Sequence, residues 1–365
     1  MAGSSTSGGR GASRDLSALL VHPGATVRET IAAIDRGQLG LALLVDADGR
    51  LLSTVTDGDV RRAMLAGVDL DEPVSTLQAR RRSGPLTAAA GSPVEELLEL
   101  MSTHRLRHVP LVDGDGRPVD VAALDDLVDD TALPLRAVVM AGGFGKRLGS
   151  LTESLPKPML PVGGRPLLER IIGQLGAAGI DRVHVTTHYR PEQIVDHFRD
   201  GSSFGVRIEY VNEEQPLGTA GALGLIENAD EQPLLVLNGD IVTDVDFRSL
   251  LHFHEEHRAD LTVGVWPYEV KVPYGLVETD GEAVTAIREK PVIRSFVNAG
   301  IYLVSSEVCR SIPAGEALDM TELIERAVAD GRCVVSFPLR EYWLDIGELE
   351  AYQRALLDAA ARGEQ

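Results

Sequence analysis

The feature that most limits how this chain can fold is a repeat inside its first third. Leu44-Val45-Asp46-Ala47-Asp48-Gly49-Arg50 returns as Leu111-Val112-Asp113-Gly114-Asp115-Gly116-Arg117, an offset of 67 residues (113 − 46). Without gaps, the same offset pairs Gly24 with Gly91, Val27 with Val94, Glu29 with Glu96 and Asp59 with Asp126. A register held over so many positions marks two copies of one supersecondary unit. In the first copy, Val27, Ile31 and Ile34 stand at helical spacing within 26–38. The second copy repeats this over 94–101, behind a cap-like Ser92 and Pro93. A short apolar strand follows in each (41–45 and 108–112), then an Asp-Gly turn and a second strand, the pattern of a β-hairpin. A closing helix is expected to begin near Asp57 and near Leu124. One such unit cannot cover its own apolar faces, but two together can.

Composition sets outer limits on function. The net charge of −20 disfavours a sequence-independent grip on nucleic acid or on an anionic membrane. Local Lys and Arg side chains can still hold an anionic substrate. Cys309 and Cys333 lack metal-site or redox spacing, so both are expected to be buried thiols in a reducing compartment. The first 14 residues form a Gly/Ser-rich tail, expected to be disordered, with no apolar core of a signal peptide. No apolar run reaches bilayer length. A cytoplasmic protein without nucleic-acid or membrane partners is expected.

The pattern changes after the acidic-then-apolar stretch 125–133 and Pro134, which places a boundary near residue 132. From Leu135, apolar strands (135–140, 183–187, 206–211, 234–237) alternate with helical segments (167–178, 193–198, 221–227). This alternation predicts an α/β fold with a doubly wound, mostly parallel sheet, Rossmann-like, preceded by a smaller α+β pair. Ligands of such sheets bind beyond the C-terminal ends of the strands. Two candidate segments fall there: the Gly-rich loop Ala141-Gly142-Gly143-Phe144-Gly145-Lys146-Arg147-Leu148, and Asn238-Gly239-Asp240. Glycines let backbone N–H groups close round a phosphate while Lys146 and Arg147 neutralise it. Two common phosphate motifs fail here. Leu148 occupies the third Gly position of a dinucleotide fingerprint. Met140 and Arg147 occupy the first Gly and the Ser/Thr positions of a P-loop.

The loop together with Pro156-Lys157-Pro158 resembles the sugar-1-phosphate nucleotidyltransferases, whose motif is G-G-x-G-x-R-L followed by P-K-P. Later segments resemble that family in the same order, over most of 135–347. The resemblance implies nucleotide contacts from Ala141, Gly142, Gly143, Gly145, Lys146, Gln215, Gly218, Thr219, Ala220, Asn238 and Gly239. It implies sugar contacts from Tyr274, Gly275, Glu289, Asn298 and Gly300. It makes Asp240 and Asp345 the ligands of one Mg²⁺, and Arg147, Lys157, Asp240 and Lys290 the catalytic set. The reaction implied joins an NTP to a sugar-1-phosphate with release of pyrophosphate. The chemistry suits these residue types, because several phosphate charges must be neutralised and aligned and no covalent nucleophile is needed. Mg²⁺ commonly takes one or two carboxylates plus substrate oxygens. The subfamily most resembled is guanylyltransferase-like, which favours GTP, with the Leu217-Gly218-Thr219 segment reading the base largely through its backbone. Thymidylyl, uridylyl and cytidylyl transfer stay open, as does a regulatory subunit without chemistry.

The repeated unit is similar to a tandem CBS pair, with copies at about 15–72 and 78–131, ahead of a catalytic region at 132–365. In the first copy Thr56-Asp57-Gly58-Asp59 resembles the family's T-x-x-D element, which implies that Thr56 and Asp59 hold an adenine or guanine nucleotide effector. The second copy keeps Asp126 but has Ala123 in place of the Thr. Packing or dimerisation alone is the competing reading, and a homo-oligomer is expected. His252, His254 and His257 tempt a metal reading, but a solvated helix starting at Asp246 is favoured. His184 and His188 are read as structural. Arg80-Arg81-Arg82 is read as an exposed linker. A helix is expected over 348–361, and no C-terminal acyltransferase or β-helix domain is expected after it.

Overall fold

The structure is a computed structural model that describes residues 15–78, 84–127, 132–226 and 232–364. The N-terminal tail and Arg80-Arg81-Arg82 lie outside the described residues. The chain divides into two compact units between residues 130 and 131.

In the first unit the sequence repeat is visible as a repeat of hydrogen-bond register. Strands Leu20–Val21, Leu41–Val45 and Leu51–Thr56 form one sheet; Ala88–Ala89, His108–Val112 and Pro118–Ala123 form the other. The hairpin partners Leu41↔Thr56 and His108↔Ala123 differ by the same 67 residues, and both hairpins shift register one residue before the turn. The turns match as well. The Asp46 carboxylate accepts from the N–H groups of Asp48 and Arg50 (2.9 and 2.8 Å), and Asp113 accepts from Asp115 and Arg117 (both 2.9 Å). The two copies join through these hairpins: Leu51 N–H donates to the Gly116 carbonyl (2.9 Å) and Arg117 Nε to the Asp48 carbonyl (2.9 Å). Val121 of the second copy packs with Leu19, Leu41 and Leu43 of the first. The first helix, Val27–Gly37, starts in a capping box between Thr26 and Glu29. Its counterpart, Val94–His104, has no such box: the N-cap falls on Pro93, so Ser92 does not cap it.

The second unit is built on seven strands, numbered here in chain order: β1 (Arg136–Met140), β2 (Arg182–Thr187), β3 (Arg207–Asn212), β4 (Leu234–Asn238), β5 (Leu261–Lys271), β6 (Val292–Val304) and β7 (Val334–Pro338). Their spatial order is β3-β2-β1-β4-β6-β5-β7. Only β6 runs against its neighbours. Alternate strand residues face opposite layers, as pleating requires. Ala137, Val139, Leu235, Leu237, Ile301 and Leu303 pack under helices Leu167–Ala177, Pro191–Phe198 and Phe247–Glu256. Val138, Leu234, Val236, Tyr302 and Val304 pack under Ser306–Arg310 and Met320–Ala329. The central strands are covered on both faces, which is why they read as continuous apolar runs.

Two elements differ from expectation. The helix expected over 221–227 is a single turn, Gly218–Gly221, followed by a 3₁₀ stretch, Ala222–Leu225. Past the core, β5 and β6 continue as an exposed ribbon, beside which Leu276–Asp280 and Ala283–Arg288 form a hairpin. Cys309 is buried, but Cys333 is exposed, against the expectation of two buried thiols. It stands in the turn ahead of β7, where its N–H donates to Asp260 (2.8 Å), rather than in the apolar strand that follows.

The histidine-rich helix disperses its imidazoles. His254 is buried and bonds Thr262 Oγ1 through Nδ1 (2.8 Å), whereas His257 bonds the Phe253 carbonyl and stacks on the Phe253 ring. Burial pushes the His254 pKa down from 6.5 to about 4, against a smaller upward pull from Asp260. The unfolded chain therefore takes up a proton at a higher pH than the fold does. Stability conferred by the neutral imidazole is complete above about 6.5 and is lost as pH falls toward about 4. Thermal melts across this window should show a wild-type decline of up to about 3 kcal/mol from this group. His254→Gln should flatten that slope while leaving the remaining carboxylate-driven decline.

Candidate functional site

Four strand ends and one returning strand converge on the same edge of the second unit. Beyond Met140, the chain enters the Gly-rich loop without regular structure up to Gly145, then two 3₁₀ turns over Lys146–Thr152 that meet in a kink at Gly149. Gly145 has φ +65, and a Cβ there would stand 3.0 Å from both Lys157 Cβ and Thr152 Cγ2, so only glycine fits without strain. The Thr152 hydroxyl closes the loop by donating to the Gly145 carbonyl (2.9 Å). The segment after it is held from β2. Tyr189 O–H and the Arg190 guanidinium both donate to the Glu153 carbonyl (3.0 Å each), and Gln193 donates to the Ser154 carbonyl (3.0 Å). Phe144 packs edge-on against His188 (5.3 Å between ring centres), and the His188 ring N–H donates to the Glu213 carbonyl (2.8 Å). The Lys146 side chain lies outside the described residues.

Pro156 and Pro158 flank Lys157, which is buried at the start of the 3₁₀ turn Lys157–Met159. Its ammonium forms an ion pair with Asp240, just beyond β4. Asp345 reaches the same place through a two-stranded ribbon, Ile241–Thr243 against Trp343–Asp345, in which Ile241 opposes Asp345. Ile346 N–H also donates to the Asp240 carbonyl (3.0 Å). The ribbon is anchored by Trp343, whose Nε1–H donates to the Ala299 carbonyl (2.8 Å) and whose ring lies 5.8 Å from that of Trp266. Desolvation, and then the Asp240 charge, push the Asp345 carboxyl upward; Lys157 and Arg147 pull it the other way. Arg147 is close: a Cβ on Gly347 would lie 3.4 Å from Asp345 Oδ2 and 3.6 Å from Arg147 Nη1. Arg147, Lys157, Asp240 and Asp345 thus form one cluster.

Because β6 runs antiparallel, Gly300 meets the end of β4. It has φ +68, and a Cβ there would collide with the Asn238 amide. Asn238 Oδ1 is buried with no hydrogen-bond partner among the described residues, an acceptor left available at the strand end. Asn298 Oδ1 accepts from Gly300 N–H (3.0 Å). Glu289 lies against Gly275, 3.1 Å from where a Cβ would stand. Lys290 adopts a left-handed backbone (φ 43), a strained choice for a lysine. Tyr274, 75% exposed, stands at the open end of the hairpin.

The Gln215–Gly221 segment is tied back into the fold through several of its backbone donors. Thr219 N–H donates to Asp319 Oδ1 (3.1 Å), and the N–H groups of Ala220 and Gly221 donate to the Leu318 carbonyl (2.8 and 3.0 Å). A further residue, Glu213, escaped the sequence reading. It is buried beyond β3, accepts from Leu217 N–H (3.0 Å), and places its other oxygen 3.0 Å from where a Gly142 Cβ would be. It lies against the Gly-rich loop and holds the start of the Gln215–Gly221 segment at once.

In the first unit, Thr56 and Asp59 do come together. The Thr56 hydroxyl donates to Asp59 (2.8 Å), their backbones complete a capping box for Asp57–Leu65, and Arg62 pairs with Asp59 (2.8 Å).

Residues 136–362 match the family model described as nucleotidyl transferase. The chain belongs to that family. Residues 14–66 and 80–131 match the CBS domain model. The chain is similar to the mannose-1-phosphate guanylyltransferase of Mycobacterium tuberculosis (38% identical over 230 residues, 61% of this chain and 64% of that protein). It is also similar to the mannose-1-phosphate guanyltransferase of Aspergillus fumigatus (34% over 223 residues, 59% and 61%). It thus spans 61–64% of the length of these two relatives. A solved structure of a Bacillus anthracis protein assigned as a glucose-1-phosphate thymidylyltransferase, in complex with sucrose, aligns with TM-score 0.51 at 26% identity. That alignment covers 62% of this chain and 95% of the other. The nucleotidyl transferase match covers all four members of the charged cluster.

The cluster makes a stability prediction. The fold binds a proton on Asp345 more tightly than the unfolded chain does. The ionised carboxylate therefore costs stability, fully so above its folded pKa, and the cost fades as pH falls toward the ordinary carboxylate value. Asp345→Asn should raise the melting temperature at pH 8 in chelator, with the gain shrinking at low pH.

Proposed function

We propose that this protein transfers a nucleotidyl group from an NTP to a sugar-1-phosphate, with GTP and a mannose-like hexose phosphate as the favoured pair. The observation that carries the reading is the convergence of Arg147, Lys157, Asp240 and Asp345 at one strand edge. In the reaction a sugar-phosphate oxygen attacks the NTP α-phosphorus, a new P–O bond forms, the α–β bridge breaks, and pyrophosphate leaves. Lys157 neutralises the α-phosphate and the incoming phosphate. Arg147 holds the β- and γ-phosphates that depart. Lys290 meets the sugar phosphate, while Glu289 and Asn298 orient sugar hydroxyls. The paired carboxylates fit a hard divalent cation, since two like charges share one site and desolvation raises one of them. Mg²⁺ bound by Asp240 and Asp345 would neutralise and align phosphate oxygens. GTP is favoured by similarity to proteins named guanylyltransferases. In the same reading the CBS pair is a regulatory module, with a nucleotide effector at Thr56 and Asp59.

Pyrophosphate release with Mg²⁺ tests this across four NTPs and mannose-, glucose-, glucosamine- and heptose-1-phosphates. Turnover is expected with GTP and one hexose phosphate. Asp240→Asn should reduce it by at least about 10³-fold, as for loss of a principal electrostatic group, with the circular dichroism spectrum unchanged. Wild-type turnover in that variant would remove the metal assignment.

A further inference from the structure

The helix Met320–Ala329 and the turn Gly218–Gly221 cap one another. Asp319 sits at the helix N-cap with extended backbone, yet makes no cap bond to its own helix. Its Oδ1 instead accepts from Thr219 N–H (3.1 Å), 100 residues away, and from the Thr219 hydroxyl at longer range (3.4 Å). The Thr219 oxygen in return accepts from Met320 N–H (2.7 Å), an N–H in the helix's first turn that its own N-cap leaves unsatisfied. Each segment thus supplies the capping group the other lacks. Leu318 completes the seam, its carbonyl taking Ala220 and Gly221 N–H and its N–H donating to the Leu217 carbonyl (2.9 Å). The fit is close: a Cβ on Gly218 would stand 2.6 Å from the Leu318 carbonyl oxygen and 2.7 Å from Asp319 Oδ1.

We propose that Asp319 is a positioning residue for nucleotide binding, and that Thr219 acts through Asp319 and the helix instead of touching the nucleotide. This rests on reading Gln215–Gly221 as the nucleobase-facing segment. A turn of four residues has little cohesion of its own. The exchanged cap fixes its backbone before a nucleotide arrives, so ordering is not charged against binding.

Four variants test the exchange. Asp319→Ala and Thr219→Val each remove one half of it; Asp319→Asn keeps an acceptor oxygen, and Thr219→Ser keeps the hydroxyl. The first two should raise KM for the preferred NTP by about tenfold, the scale of one charge-assisted hydrogen bond. Their kcat and their KM for the sugar phosphate should stay within about twofold, since the binding lost is common to ground and transition states. Thr219→Ser should behave as wild type, Asp319→Asn, which keeps the acceptor but not its charge, should lose less than Asp319→Ala, and the double variant Asp319→Ala/Thr219→Val should be no worse than either single one. Titration calorimetry with the NTP alone reads the same effect without turnover. Unchanged NTP affinity in folded Asp319→Ala, or in Thr219→Val should the first not fold, overturns the positioning role. So does a loss shared equally by both substrates and by thermal stability. A wild type that binds none of the four NTPs overturns the nucleotide reading itself and the positioning role with it. NTP binding without turnover overturns only the proposed reaction.

Discussion

Repulsion between two carboxylates at one sheet edge is the constraint around which the second unit is organised. Asp240 and Asp345 come from segments 105 residues apart (345 − 240), and nothing in an isolated chain would hold them together. The fold does so with a short ribbon, a backbone bond from Ile346, and the Trp343 anchor. It offsets the charge with one buried ammonium on the Asp240 side and one guanidinium near Asp345. Two carboxylates and two cations are thereby gathered in one partly desolvated place at the sheet edge.

The same small vocabulary recurs in both units. Thr56 and Asp59 build a capping box within one turn of sequence, and Thr219 and Asp319 build a comparable exchange over 100 residues. A hydroxyl and a carboxylate each satisfy backbone donors that a helix start leaves open. In one case the product is a local helix end, in the other a seam between distant segments.

The first unit was legible because its period repeats turn chemistry as well as hydrophobicity. Asp46 and Asp113 fold the same turn because each carboxylate takes the same two N–H groups. The parallel sheet was legible because buried strands are continuously apolar, and the charged cluster because its short motifs resemble those of a known family. Glu213 was not: in Asn212-Glu213-Glu214 it looks like part of a solvated polar run, and its burial follows only from β3 ending beside the Gly-rich loop. Asp319 was equally silent, since its partner is remote. The exposed β5–β6 ribbon escaped notice because its strands were read through motifs at its ends rather than through alternation along it. Cys333 was misplaced because its apolar neighbours begin one residue later.

The chain contains two tryptophans, and they are Trp266 and Trp343, whose rings lie 5.8 Å apart beside the ribbon that carries Asp345. Trp343 is two residues from that carboxylate and bonds the carbonyl of Ala299, between Asn298 and Gly300. The molecule's tryptophan emission therefore originates from one place, where the acidic ribbon meets the returning strand. A change of environment at this edge would be written into an intrinsic optical signal, with no dye and no label.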